Sequence, residues 1–447
     1  MLNVDCIGTI FQFLKIKENL RARLIGREWN SCGKKNGLRN LSTLDFSTLP
    51  SVNTGTNDSD SKEIKESKEI KTICTSVNTT DRVIKCVKLG KYNHRTILNL
   101  LSKMVVDRID IDMNGYKSFQ VLSSYLDREE SKVKSIALHF GESRSDDSAI
   151  HHSIIDKFVD SLLMSKLKNL RIEIKNGLSE DSINLETFIK FINKMNSIRF
   201  LSSITTVPLK LVKSLKTLDI SFPLNPHNYD YDIAHLFSRL IYYLLKCEKV
   251  ALKRIVFRSY GVMETDKFIK SFPNSHGRVD NGDSRNAVTE LRLIEEFNGR
   301  QMFDDRIFSI FPSLTFLSLS GFDIDFHVDR PLSNGFSQLT SLKITLPTKF
   351  GYCTMTHENI LELVRICNNL QHFEFMIGGS GNGTIPGNMT DNWIQNIDRV
   401  LEEMTRRLHK LTTLTIHHNF MDRKLVDILL SSARKNLGKI TVKICAF

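Results

Sequence analysis

Gly378-Gly-Ser-Gly-Asn-Gly-Thr384 is the stretch of this chain whose composition could cradle a phosphate. It follows an apolar run with strand spacing and precedes an amphipathic stretch. A P-loop ends in Gly-Lys-Ser/Thr, and this one does not; Pro386 occupies the last position of the spacing Gly-x-Gly-x-x-Gly. A surface loop is the expectation. His151-His152 and His417-His418 are adjacent pairs, which a strand or helix sends to different sides, so they make poor joint metal ligands. Cys6, Cys32, Cys74, Cys86, Cys247, Cys353, Cys367 and Cys445 are scattered without a Cys-x-x-Cys pair. That usage suits reduced thiols rather than a disulfide framework. No Ser/His/Asp set or carboxylate pair stands out. The expectation is a chain with no catalytic residues, no metal and no cofactor.

What recurs instead is the spacing L-x-x-L-x-L. It appears first at Leu41/Leu44/Phe46, then at Ile84/Val87/Leu89, Val106/Ile109/Ile111, Val133/Ile136/Leu138 and Leu167/Leu170/Ile172. It continues at Leu215/Leu218/Ile220, Leu252/Ile255/Phe257, Val288/Leu291/Leu293 and Leu314/Leu317/Leu319. The last examples are Leu339/Leu342/Ile344, Leu370/Phe373/Phe375, Leu411/Leu414/Ile416 and Leu437/Ile440/Val442. This is the strand signature of a leucine-rich repeat. A further, degenerate strand is expected near Phe200 to Val207, inside the longest interval. Asn114 and Asn419 stand where the repeat places its Asn.

Between these segments, apolar residues return at helical spacing. Ile97/Leu98/Leu101, Phe119/Leu122/Leu126, Ile154/Phe158/Leu162 and Phe188/Ile192/Met195 are such stripes, as are Ile233/Leu236/Leu240/Leu244, Ile360/Leu363/Val364 and Ile394/Ile397/Leu401. Strand then helix, repeated, predicts an α/β fold: an irregular leucine-rich-repeat solenoid of parallel strands with outer helices, each unit covering its neighbour's apolar face. It spans 82–447, with the first repeat strand at 41–50. Between them, 51–81 is rich in Ser, Thr, Asn, Lys and Glu, too polar to bury itself, and is expected to be a disordered insertion.

Residues 1–40 read differently. Ile7, Ile10, Phe11 and Leu14 form one apolar helical stripe; Leu20, Leu24 and Ile25, ending in Trp29, form a second. A hairpin so small hides too little apolar surface to stand alone, so it calls for a partner or a neighbouring domain to cap. LNVDCIGTIFQFL-KIKENLRARLIGREWN resembles an F-box. Leu2, Asp5, Ile7, Ile10, Phe11, Leu14, Leu20, Leu24, Ile25 and Trp29 fall on that family's pattern without insertion, while Asn3 replaces its proline and Cys6 an aliphatic residue. An F-box followed by leucine-rich repeats resembles the substrate receptors of SCF-type ubiquitin ligases. That resemblance implies an adaptor whose hairpin holds a Skp1 homologue, and through it a cullin, while the repeats hold a protein target. A leucine-rich-repeat scaffold or GTPase regulator without Skp1 is the alternative.

The net charge is +12 and apolar residues make up 41%. The cations are spread without a dense basic run among aromatics, which disfavours nucleic acid. No signal peptide or membrane-length apolar stretch is present, so a soluble cytoplasmic or nuclear protein is expected. In L-x-x-L-x-L the residue between the last two apolar positions faces away from the core. That row reads Lys88, Asp110, Ala137, Arg171, Asp219, Val256, Arg292, Ser318, Lys343, Glu374, Thr415 and Thr441. In the stretch from Arg254 to Lys343, Arg254, Arg258, Arg292 and Lys343 should project from neighbouring strands beside Phe316, with Glu290 among them. Such a cluster would suit an acidic or phosphorylated target segment.

Overall fold

The structure, a computed structural model, describes residues 43–45, 83–89, 105–113, 116–127, 133–141, 152–174, 183–196, 210–222, 230–246, 251–259, 288–295, 301–324, 334–345, 356–377, 387–418, 423–436 and 440–446. The expected hairpin at 1–40 with all ten Skp1-facing residues, the insertion at 51–81, the glycine loop at 378–384, the strand near 200–207, Asn114 and Asn419 lie outside these residues. The chain divides into two compact units, Met1–Lys194 with Pro208–Leu211, and Met195–Val207 with Val212–Phe447.

In the first unit, β1 (Thr43–Asp45), β2 (Val83–Leu89), β3 (Val105–Asp112), β4 (Ser135–Phe140) and β5 (Asn169–Ile174) pair in sequence order, all parallel. The register joins Leu44 to Val87, Val87 to Ile109, Ile109 to Ile136 and Ile136 to Leu170, the middle apolar residue of each repeat. Helices α1 (Tyr116–Leu126), α2 (His152–Met164) and α3 (Ile183–Asn196) form where the apolar stripes recur every three or four residues. Their stripes are buried, and rings carry the packing from helix to sheet: Phe119 meets Phe158 edge-on at 5.3 Å, and Phe140 of β4 meets Phe188 at 5.2 Å. Each such side chain contributes about 1.5–3 kcal/mol on burial. The two serines that face each other between α1 and α2 are satisfied, Ser123 and Ser161 bonding at 2.9 Å and Ser161 donating to the Lys157 carbonyl.

In the second unit, the end of α4 (Lys210–Ser214), from Val212 on, leads into β6 (Thr217–Phe222), α5 (Asp230–Lys246) into β7 (Arg254–Ser259), and β8 (Glu290–Glu295) follows. The ladder continues through β10 (Phe316–Ser320), β12 (Ser341–Thr345), β13 (His372–Ile377), β14 (Thr413–His418) and β15 (Thr441–Ala446). Leu218, Ile255, Leu291, Leu317, Leu342, Phe373 and Leu414 again stand in register. Helices α7 (His357–Ile366), α8 (Gly387–Arg407) and α9 (Arg423–Asn436) separate the last strands. A repeated device sets the register: just before β4, β6, β7, β8, β10, β12 and β13 one carbonyl accepts two consecutive N–H groups of the next repeat, while Thr412 O, before β14, accepts one, from Thr441. Lys216 O takes Lys253 and Arg254 N–H at 2.9 and 3.0 Å, and Thr340 O takes Gln371 and His372 N–H at 2.8 and 3.0 Å.

Two features depart from the sequence reading. The last strand aligns Val442, not Ile440, with Leu414, so the outward row ends on Lys443 rather than Thr441. A slip of two keeps the same face inward, so alternation alone cannot detect it. Between β8 and β12 the chain adds β9 (Gln301–Phe303), α6 (Ile307–Ile310) and β11 (Phe322–Ile324), with β9 and β11 forming a separate parallel pair. Gly321, at φ 81°, redirects the chain from β10 into β11. A Cβ there would approach the Glu295 carbonyl to 2.8 Å, so glycine meets both the dihedral and the space.

Candidate protein-binding face

Along each strand, residues alternate between a buried side and a side bearing polar groups; β8 and β5 show this plainly, with every second residue buried. The register therefore decides which charges meet. Arg254 and Glu290 are direct partners on β7 and β8, and the Arg254 Nε donates to Glu290 Oε2 at 2.5 Å. The other carboxylate oxygen accepts from Arg292 Nε at 2.7 Å. The Arg292 guanidinium lies 5.1 Å from the centre of the Phe316 ring, a cation–π contact worth about 0.5–1 kcal/mol when exposed. Arg258 reaches Asp219 at 3.4 Å. Lys343 reaches Glu374 at 2.6 Å, and so does His417, also at 2.6 Å.

The five residues expected to form one cationic cluster thus resolve into three groups. Arg254, Arg292 and Phe316 are brought together around Glu290. Arg258 stands apart with Asp219. Lys343 is separated from Arg292 by Ser318, with which both are in register. The sequence placed the cations on the face but did not show that each is answered by a carboxylate. His417, weighed there only as a metal ligand, is a partner of Glu374. The first unit repeats the theme: Glu173 holds both Arg171 and His139 at 2.9 Å, and Asp110 holds Arg108 at 2.6 Å. Such half-exposed pairs contribute only about 0–1 kcal/mol each to stability; their effect is on the field of the face.

Glu374 has a shifted acidity. Its partial burial pushes the carboxyl up, but the hydrogen bonds and charges of Lys343 and His417 outweigh this and hold it below the ordinary value. A lowered folded value means that its contribution to stability is present above the unfolded carboxyl value, about 4.3, and is lost as pH falls through the folded one. Glu374→Gln should therefore flatten the acid limb of stability below about pH 4.3, measured as urea midpoints across pH. Parallel acid limbs for the two proteins would rule Glu374 out as a contributor.

Cys367 is deeply buried, and desolvation pushes its thiol up to about 12, far from a reactive thiolate. Among the described residues no group of three or more His, Cys, Asp or Glu is arranged to hold a metal. No described helix is long and apolar enough to cross a membrane.

The strand ladders and the helices between them define a leucine-rich-repeat solenoid fold. No protein-family model and no curated protein matches the chain. Among solved structures, a chain of the yeast Rad7–Elc1 complex aligns at a TM-score of 0.39 and 13% identity, over 98% of this chain and 92% of that one. TLR13 in its complex with ssRNA13 aligns at a TM-score of 0.28 and 11% identity, over 92% of this chain and 63% of that one.

Proposed function

We propose that the chain is a non-catalytic adaptor of an SCF-type ubiquitin ligase. The hairpin at residues 1–40 docks on a Skp1 homologue, which holds the cullin, and the polar strand face presents a protein target. The observation that carries this reading is the register of Leu2, Asp5, Ile7, Ile10, Phe11, Leu14, Leu20, Leu24, Ile25 and Trp29 on the F-box pattern, immediately ahead of the repeat strands. The strand face supports it, because its charged groups are held in fixed positions by their neighbours rather than buried. Catalysis then belongs to other subunits, and this chain contributes proximity.

The test is co-purification of the full chain with a Skp1 homologue. In the proposed complex Trp29→Ala would remove an anchor at a cost of about 2–4 kcal/mol, and Leu14→Asp would bring a charge to the apolar stripe at greater cost. Wild type should co-purify, both variants should lose the partner, and their thermal melts should match wild type. Full recovery of Skp1 by both variants would exclude the F-box reading.

A further inference from the structure

We propose that the second unit captures an acidic, extended protein segment on a basic rim built from Lys213, Lys216 and Lys253, with Arg254 at its inner edge. The inference rests on the reading of the strand face as the target-binding surface and names the chemistry of the target.

Lys216 immediately precedes β6, Lys253 immediately precedes β7, and Lys213 lies in the last turn of α4. Backbone bonds hold the three together: Lys253 N–H donates to Lys216 O at 2.9 Å, and Ala251 N–H donates to Val212 O at 3.2 Å. All three side chains are exposed. The two rungs are about 4.8 Å apart, so three ammonium groups share a small area.

The local charge is lopsided. Described residues 212–222, 251–259 and 288–295 carry the cations Lys213, Lys216, Lys253, Arg254, Arg258 and Arg292. Against them stand Asp219 and Glu290, since Glu295 is fully buried. Both of these carboxylates are engaged, Glu290 by Arg254 and Arg292, and Asp219 by Arg258. Among the described residues none forms an ion pair with the three lysines.

The same register position is treated differently elsewhere. In the first unit Lys134 is answered by Asp107 at 2.9 Å. In later rungs of the second unit the position holds Thr315, Thr340 and Thr412, whose hydroxyls donate to the preceding carbonyls Thr289, Thr315 and Gln371. Lys168 holds this position next to the answered Lys134, whereas on β6 and β7 two such lysines adjoin and no described carboxylate answers either.

A protein segment fits better than a nucleic acid. The rim spans two rungs, short for a phosphate backbone, and the aromatic nearest the site, Phe316, has Arg292 over its ring rather than standing open as a stacking platform. Beside Arg258 and Arg292 the face offers the half-buried apolar side chain of Ile294, while Val256 is buried. Carboxylates on the rim with one apolar residue over Ile294 match that surface. Glu290 acts as an internal competitor for Arg254.

The experiment uses the full chain and a fluorescein-labelled oligoglutamate peptide with a central Phe, followed by anisotropy. The triple variant Lys213→Glu/Lys216→Glu/Lys253→Glu should weaken binding by about tenfold or more, a change of ~1.4 kcal/mol per decade. The milder Lys→Gln triple should weaken it in the same direction. Lys157→Glu/Lys410→Glu/Lys435→Glu, with the same change of charge and off the strand face, should leave the affinity within about twofold. Glu290→Gln should tighten binding by freeing Arg254. Equal losses from the two Glu triples, or tighter rim-dependent binding of a short single-stranded DNA, would overturn the proposal. Skp1 capture by the same variants separates the two ideas: retained capture with no rim effect refutes the rim alone, whereas failure of wild type to capture Skp1 refutes the adaptor reading and leaves the peptide measurement standing.

Discussion

Replacing Phe140 by alanine should lower the stability of the first unit by about 3–5 kcal/mol, the range for deleting a fully buried aromatic side chain. Phe140 ends β4 with no exposed surface. Its ring meets Phe188 edge-on at 5.2 Å and Phe191 at 5.9 Å. Phe191 in turn lies 5.9 Å from Phe158, which meets Phe119 at 5.3 Å. One side chain thus closes a run of rings linking β4 to α3, α2 and α1, and its removal leaves a cavity that several rigid neighbours line. Urea unfolding followed by near-ultraviolet circular dichroism would measure the loss. Phe140→Leu, which keeps most of the volume, should cost less than about 1.5 kcal/mol. Similar losses for Ala and Leu would mean that the ring run does not hold the unit together.

The second large effect is expected at Gly335. A Cβ built there would stand 2.1 Å from Cγ of Phe308 and 2.4 Å from its Cβ. Those atoms are the root of a buried side chain, not a flexible tip. Phe308 is itself fixed edge-on against Phe336 at 4.9 Å and Phe303 at 6.2 Å. Overpacking of this kind costs about 1–3 kcal/mol, and Gly335→Ala should reach the upper end because neither partner has room to retreat. The cross-check is a double-mutant cycle with Phe308→Gly, which removes all the clashing atoms, the Cβ at 2.4 Å included. Gly335→Ala should then be nearly neutral, giving a coupling of about 1–3 kcal/mol. Additive losses would show that the alanine is accommodated elsewhere.

Much of this architecture was legible before the structure. Twelve of the thirteen L-x-x-L-x-L segments form strands in the parallel ladders where they were read, and the last forms its strand two residues further on, because a period of two written over apolar residues leaves one inward face. The three-residue strands β9 and β11 are too short to show any period. Helix α9 drew no expectation, although its charged ends flank the run Leu425 to Leu430. The candidate face was half legible. Spacing put Arg254, Arg292 and Lys343 on the open side with Glu290 among them and Glu374 in the same row, but that Glu290 answers Arg254 and Glu374 answers Lys343 becomes apparent only when the register sets residues 36 or 31 apart in sequence side by side. The lysine rim escaped notice for a related reason: a cation that follows the first leucine of a repeat reads as ordinary solvated surface until the neighbouring rung brings a second one beside it.

The twin-acceptor carbonyl ahead of seven of the described strands has a consequence for how such a chain can vary. Successive steps enclose very different lengths, 25 residues from Thr315 to Thr340 and 41 from Gln371 to Thr412, yet each arrives at the same two-donor clasp. Every step therefore resets its own phase, and an irregularity in one does not propagate to the next. A helix can gain a turn, or a rung can acquire a side excursion such as β9 to β11, while the letters displayed on the open side stay aligned. The array behaves like type set in separate blocks: wording on one line can be rewritten without disturbing the lines around it.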